Sequence, residues 1–185
     1  MLIAESQNMT DDELVKRCLR NDTKTQKIFF QRFAPKMMGV CLRYSDCEAD
    51  AEDMLQDGLI KVFAKLNMFS GTGSLEGWIR RIIVNNALDT IRRNKKRKLD
   101  TNIDDVAFSL KNEPNIIEDI SAKELLKLLQ TIPLGYRTVF NLYAIEGYSH
   151  KEIAQELEIT VSTSKSQLSR ARAVLREIIE KKNLL

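Results

Sequence analysis

The chain reads as an all-α protein: two small helical domains joined by a flexible acidic linker, the C-terminal one with a helix-turn-helix. Three observations predict this. Apolar side chains recur at helical spacing almost throughout, and no segment alternates as a strand does. That periodicity is lost between Leu99 and Glu118, where Pro114 sits among Asp, Asn and Ser, dividing the chain into residues 10–98, a linker 99–119 and residues 120–182. Finally, GYSHKEIAQELEITVSTSKSQLSRARAVLREII, Gly147 to Ile179, contains two helical patterns meeting at a sharp corner.

The elements follow in order. Thr10-Asp-Asp-Glu13 has the hydroxyl-to-Glu spacing of a capping box and opens a helix from Asp11 to Leu19. A second helix spans Thr23 to Tyr44, with Phe29, Phe30, Phe33, Met37, Val40 and Cys41 at helical spacing. Pro35 removes a hydrogen bond from it and predicts a local kink. Ser45 to Glu48 is a second capping box, opening a helix from Asp46 to Leu66. The Gly/Ser loop FSGTGS then leads to a fourth helix, from Ser74 to about Arg97, whose Trp78, Ile79, Ile82 and Ile83 face a core while Arg80, Arg81, Val84, Asn85, Leu88 and Arg92 face outward. Beyond the linker, Ser121 to Glu124 is another box. Further helices are predicted at Pro133–Glu146, Ser149–Leu157 and Val161–Lys182.

Composition narrows the function classes. A hydrophobic fraction of 43% with 30% charged residues is that of a folded globular chain, and no apolar run reaches the roughly 20 residues needed to cross a bilayer. The N-terminal residues lack the basic region of a signal peptide, so a cytoplasmic location is expected. Cys18, Cys41 and Cys47 have neither C-x-x-C spacing nor histidine partners and read as reduced, largely buried thiols. No metal-ligand set, phosphate-cradling glycine loop or nucleophile triad is present, so no catalysis, metal or cofactor is expected. The one histidine, His150, sits at a helix start and reads as part of its capping environment.

Charge is segregated along the chain. Leu75–Lys98 holds eight basic residues against two acidic ones, Leu99–Glu124 seven acidic against two basic, and Ser162–Lys182 six basic against two acidic. Any one such segment suits an ordinary solvated surface equally well. The alternation of all three suggests two anion-binding surfaces on a tether of opposite sign.

At the corner, Ser149 and Glu152 form a further capping box, Ile153, Ala154 and Leu157 give the first helix its inner face, and Thr160 is placed to cap the second. On the second helix Ser164, Leu168, Ala171, Leu175, Ile178 and Ile179 face inward. Ser162, Thr163, Ser166, Ser169 and Arg170 lie opposite, with Lys165 and Arg176 on the flank. Short hydroxyls with arginine suit base edges and phosphates, which favours DNA contact over a packing helix with a basic face. Two positions depart from the usual grammar: Glu158 stands where such corners carry Gly, and Ser164 where an aliphatic residue is usual.

With the corner, linker and upstream module together, the chain resembles a bacterial RNA polymerase sigma factor of the extracytoplasmic-function (ECF) group. The residues that carry the likeness are AEDMLQDGLIKVFAKL (Ala51–Leu66), GSLEGWIRRIIVNNALDTIRR (Gly73–Arg93) and EIAQELEITVSTSKSQLSRAR (Glu152–Arg172), in that order. The resemblance implies that residues 10–98 are sigma domain 2 and residues 120–182 sigma domain 4. It implies partners: core RNA polymerase through its beta-prime clamp and beta flap, promoter DNA, and an anti-sigma factor in many relatives. The free protein is then a monomer without membrane insertion.

By the same resemblance, Asp53, Gln56, Asp57, Lys61 and Phe63 bind the clamp helices. Six acidic residues and no basic one between Asp46 and Asp57 suit a basic partner surface, although Asp53 and Asp57 alone also suit plain solubilisation. Arg80, Arg81, Asn85, Leu88, Arg92, Arg93, Lys95 and Lys96 take the −10 element, the loop Phe69–Ser74 captures a flipped base, and Arg92–Lys98 grips phosphates. Lys165, Ser166, Ser169 and Arg170 face the −35 element, with Thr163, Gln167 and Arg172 positioning the backbone. Asp100, Asp104, Asp105, Glu113 and Glu118 of the linker occupy a polymerase channel as an anionic placeholder. The rival reading is a free-standing helix-turn-helix regulator binding duplex DNA as a dimer. That reading gives Gly73–Arg93 and the acidic linker no role.

Overall fold

A computed structural model of the chain describes residues 9–100 and 122–181, without the side chains of residues 96–100, 122 and 123. Its α-helices are α1 (Asp11–Leu19), α2 (Thr23–Tyr44), α3 (Glu48–Lys65), α4 (Leu75–Asp100), α5 (Ala122–Gln130), α6 (Leu134–Phe140), α7 (His150–Glu156) and α8 (Val161–Lys181). A 3₁₀ turn, Leu66–Met68, follows α3, and a π turn, Asn141–Ile145, follows α6. No strand occurs among the described residues. Two compact units are present. One is centred on α1–α3 and α4 through Thr90, the other on α5–α8. The acidic linker, with its placeholder carboxylates, and the box at Ser121 lie outside the described residues.

The N-terminal unit closes on aromatic and aliphatic side chains. Phe29 packs, with rings tilted, at 4.9 Å from Phe33 and 5.0 Å from Phe63, among buried Leu14, Met37, Met54 and Val62. Phe30, on the other side of α2, is exposed. α2 continues as helix through Pro35. Its start is set by Asp22, whose carboxylate accepts from the Lys24 and Thr25 amides and from the Thr25 hydroxyl at 2.7 Å. That network, led by the Thr25 hydroxyl, holds the Asp22 carboxyl below its usual range. α1 ends in a Schellman turn, with Asn21 at φ 59° and the Asp22 amide donating back to Arg17 O.

Two expectations at helix starts are corrected, and with the second the burial expected of Cys47. Thr10 does accept from the Glu13 amide, but Glu13 turns its carboxylate to Arg17, 2.7 Å away, one helical turn on. Ser45 does not cap α3. Cys47 does, its Sγ accepting from the Asp50 amide at 3.5 Å, so the helix begins two residues later than the hydroxyl predicted. Cys47 is therefore exposed, while Cys18 and Cys41 are buried. Burial, with the Asp22 charge second, pushes the Cys18 thiol up to about 11, which keeps it protonated and inert.

Close approach of α3 and α4 depends on Gly58: a Cβ there would stand 2.5 Å from Ile83 Cδ1 and 3.5 Å from Asn86 Nδ2. Buried Asn86 donates across to Met54 O at 2.9 Å. In the C-terminal unit, Leu129, Ile132 and Ala171 pack with Tyr136, Phe140, Val174 and Leu175, joining α5 and α6 to α8. The predicted Pro133–Glu146 helix is divided, α6 giving way to the π turn, where the Glu146 amide reaches back five residues to Asn141 O.

Candidate nucleic-acid interface

The corner is built from its termini. Ser149 and Glu152 form the reciprocal capping box at α7, and the Ser149 hydrogen bonds lower the Glu152 carboxyl from its ordinary value. α7 ends at Leu157 in a Schellman turn: Glu158 takes φ 53°, and the Ile159 amide donates to Ala154 O at 3.0 Å. The corner thus demands the left-handed backbone that glycine supplies freely, and Glu158 adopts it under strain. Thr160 then caps α8, accepting from the Thr163 amide at 3.0 Å.

On α8, Ser164, Leu168 and Ala171 are buried, as the wheel predicted. Ser162, Lys165, Ser166, Ser169, Arg170 and Arg172 are exposed, and Thr163 and Gln167 are half-buried. The outward set has internal structure. The Ser166 hydroxyl donates to Thr163 O. Arg170 lies 5.7 Å over the Tyr136 ring and donates to its hydroxyl at 3.0 Å. Arg172 sits 5.8 Å over Tyr143. Ser164 places its buried hydroxyl 2.9 Å from His150 Nδ1, and the imidazole stacks on Tyr143 at 4.6 Å. His150 is therefore a packed partner of α8, while Ser149 does the capping. Tyr136 and Tyr143 escaped the sequence reading because their contacts to α8 span 34 and 29 residues.

The second basic surface lies on α4. Arg81, Asn85, Arg93 and Lys95 are exposed, and Arg80 and Arg92 half-buried; the Lys96 side chain lies outside the described residues. Leu88 and Val84 are corrections: both are buried, at 0% and 2% exposure, and cannot meet DNA from these positions. Leu75, Ile79, Ile83, Val84, Ala87 and Leu88 spread over more than half the helix circumference, so a one-faced wheel mis-sorts the far edge. Trp78 stops short of the core, half-buried with its ring 5.6 Å from Phe69 of the preceding loop. In that loop Gly71 and Gly73 hold φ of 75° and 89°, and the Ser70 and Thr72 hydroxyls are hydrogen-bonded at 2.6 Å.

On α3 the acidic positions line up. Asp53, Gln56 and Asp57 are exposed on one stripe, and Ile60, 61% exposed, continues it. Lys61 and Phe63 follow it one and two turns on but are half-buried and engaged: Lys61 pairs with Asp89 at 3.3 Å, and Phe63 packs on Phe29. Ile60 was missed because an isoleucine in a helical pattern reads as core; its i+3 and i+4 relation to Asp57 and Gln56 is the signal that finds it.

Known proteins match both units. Residues 29–97 match the family described as Sigma-70 region 2, and residues 122–175 that described as Sigma-70, region 4. The ECF RNA polymerase sigma-E factor of Escherichia coli K12 is 26% identical over 181 residues, covering 92% of this chain and 94% of the relative. The chain belongs to the ECF group of the sigma-70 family. The RNA polymerase sigma-H factor of Pseudomonas aeruginosa is 24% identical over the same coverage. The sigma factor RpoE in its co-crystal structure with the anti-sigma factor NepR from Bartonella quintana shares the fold, at TM-score 0.52 and 23% identity over 85% of this chain and 98% of that one. Sigma factors are non-enzymatic initiation factors, and this ECF factor acts in transcription initiation. No helix among its described residues is long and apolar enough to cross a membrane.

Proposed function

We propose that this ECF factor binds core RNA polymerase and reads promoters in two parts. Residues 10–98 act as domain 2 on the −10 element and residues 120–182 as domain 4 on the −35 element, joined by the linker 99–119. The observation that carries the reading is the split face of α8: hydroxyls and cations outward, and a buried Ser164–Leu168–Ala171 face behind them. Ser166, Ser169 and Arg170 contact bases, while Thr163, Lys165, Gln167 and Arg172 hold the backbone. Arg81 and Asn85 meet the separated −10 strand, with Arg80, Arg92, Arg93, Lys95 and Lys96 along its phosphates. The loop Phe69–Ser74 takes an unstacked base.

Asp53, Gln56 and Asp57 dock on the beta-prime clamp, and domain 4 on the beta flap. Lys61 and Phe63 support that face through Asp89 and Phe29. All chemistry belongs to the polymerase, and the factor works in the cytoplasm, monomeric when free. The structural neighbour's partner supports an anti-sigma factor as a further ligand. The test is transcription in vitro. Purified core polymerase plus this chain is expected to start RNA at a defined promoter. Tight duplex binding without polymerase, combined with no initiation in its presence, would sink the reading in favour of a free-standing regulator.

A further inference from the structure

The C-terminal unit carries a cavity of about 340 Å³ beside α8, lined on that helix by Lys165, Ser169, Arg172 and Arg176 and facing them by His150. No carboxylate lines it. Three of these side chains are cations with donors only, so the cavity favours an anion; the guanine edge, which offers acceptors alone, is the base edge that competes with a phosphate for it. The imidazole is held from two sides, by the Ser164 hydroxyl at Nδ1 and by the Tyr143 ring beneath it. Arg172 occupies the same tyrosine, so Tyr143 is already engaged by protein groups and is not a free platform for stacking a nucleobase. Ser164 is fully buried where an aliphatic residue would cost less, and its hydroxyl is spent on orienting His150.

We propose that this cavity seats one backbone phosphate of duplex DNA, with His150 as a positioning donor to it and Ser164 as the residue that sets the ring. In the tautomer that lets the Ser164 hydroxyl donate to Nδ1, the ring proton resides on Nε2 and is available to a phosphate oxygen. Arg176 joins Lys165 and Arg172 as a cation of the same seat. The proposal rests on the reading that α8 engages the −35 duplex, and it assigns His150, Ser164 and Arg176 a part in it.

The test uses holoenzyme reconstituted from core polymerase and the full chain, bound to promoter duplexes whose −35 phosphates are replaced one at a time by methylphosphonates. At one position the neutral linkage is expected to cost the wild type about tenfold in affinity, the size of a hydrogen bond to a charged group. The same linkage costs His150→Ala measurably less than it costs the wild type, the remaining loss being that of the three cations, and losses at the other phosphates are unchanged. Ser164→Ala shows the same position-specific coupling at reduced size. His150→Gln keeps an N–H donor and retains part of the effect, which covers an Ala variant that melts early. Equal losses for His150→Ala at every phosphate, or wild-type behaviour at all of them, would overturn the phosphate seat. If the wild-type holoenzyme ignores the −35 sequence altogether, the promoter reading itself fails.

Discussion

Glu158→Gly should stabilise the C-terminal unit. Glu158 is exposed at φ 53° in the turn between α7 and α8. A left-handed backbone costs an L-residue about 1–2 kcal/mol. Glycine avoids that cost but brings extra freedom in the unfolded chain, worth about 0.5–1 kcal/mol in the other direction. The net gain is about 0.5–1 kcal/mol. For a unit of this size it raises the midpoint by about 3–6 °C. Thermal unfolding followed by circular dichroism on the full chain reads it directly. Glu158→Ala keeps the strain and should gain nothing; Glu158→Asn should fall between, since asparagine tolerates this region better. Equal midpoints for the Gly and Ala variants would refute the reasoning, because the difference between them isolates the backbone term.

Gly58→Ala should destabilise by about 1 kcal/mol, overpacking against Ile83 outweighing the helix-propensity gain of about 1 kcal/mol. In an Ile83→Val background, which removes the Cδ1 in the way, the same change should become neutral or stabilising; an identical loss in both backgrounds would show that the clash is not the cause. Leu88→Ala should cost about 2–5 kcal/mol of stability, whereas Asn85→Ala should leave the melting curve in place and lower open-complex formation on a promoter fragment. A normally stable Leu88→Ala would return Leu88 to the DNA surface. The Asp22 carboxyl is lowered by Thr25, so its contribution is complete above its ordinary value of 3.8 and is lost as pH falls through the lower folded value. Asp22→Asn should accordingly flatten the acid limb of a midpoint-versus-pH curve, and an unaltered limb would exclude this cap as its source. Asp57→Lys, and separately Ile60→Glu, should each weaken core-polymerase binding by about tenfold or more if one stripe docks both residues; an effect of Asp57 alone would confine the contact to charge.

The helices were readable because their apolar periodicity is strong, and the first two begin and end at the residues the pattern indicated. What failed was local choice between near-equivalents. Ser45 and Cys47 are two residues apart and either can accept from a backbone amide; the hydroxyl is the better acceptor on its own, yet the chain enters α3 at Cys47. Leu88 failed for a different reason, since a helix enclosed over most of its circumference has no single inner face to sort. The interface was legible in residue type and blurred in detail. Sequence alone marked Glu158 and Ser164 as misfits. The left-handed turn accounts for the first, and a histidine 14 residues upstream accounts for the second. The first cause is local, which is why the grammar of the corner marked it; the second joins two helices and could not be read from spacing.

The π turn at Asn141–Ile145 acts as a store for one extra residue. It winds that residue into the helix without lengthening the loop that follows, and what it adjusts is the placement of its own side chains. Removing one residue from it would restore α-helical winding and leave the following segment nearly in place, because four α-helical residues turn through about the same angle as five π-helical ones. The residues that change place are those inside the turn, Tyr143 against His150 and Arg172 among them, with every side chain of α8 unchanged in identity. Chain length in most surface loops drifts with little effect; across these five residues it decides whether a tyrosine stands beneath His150, and a one-residue deletion there is the smallest change that removes that support.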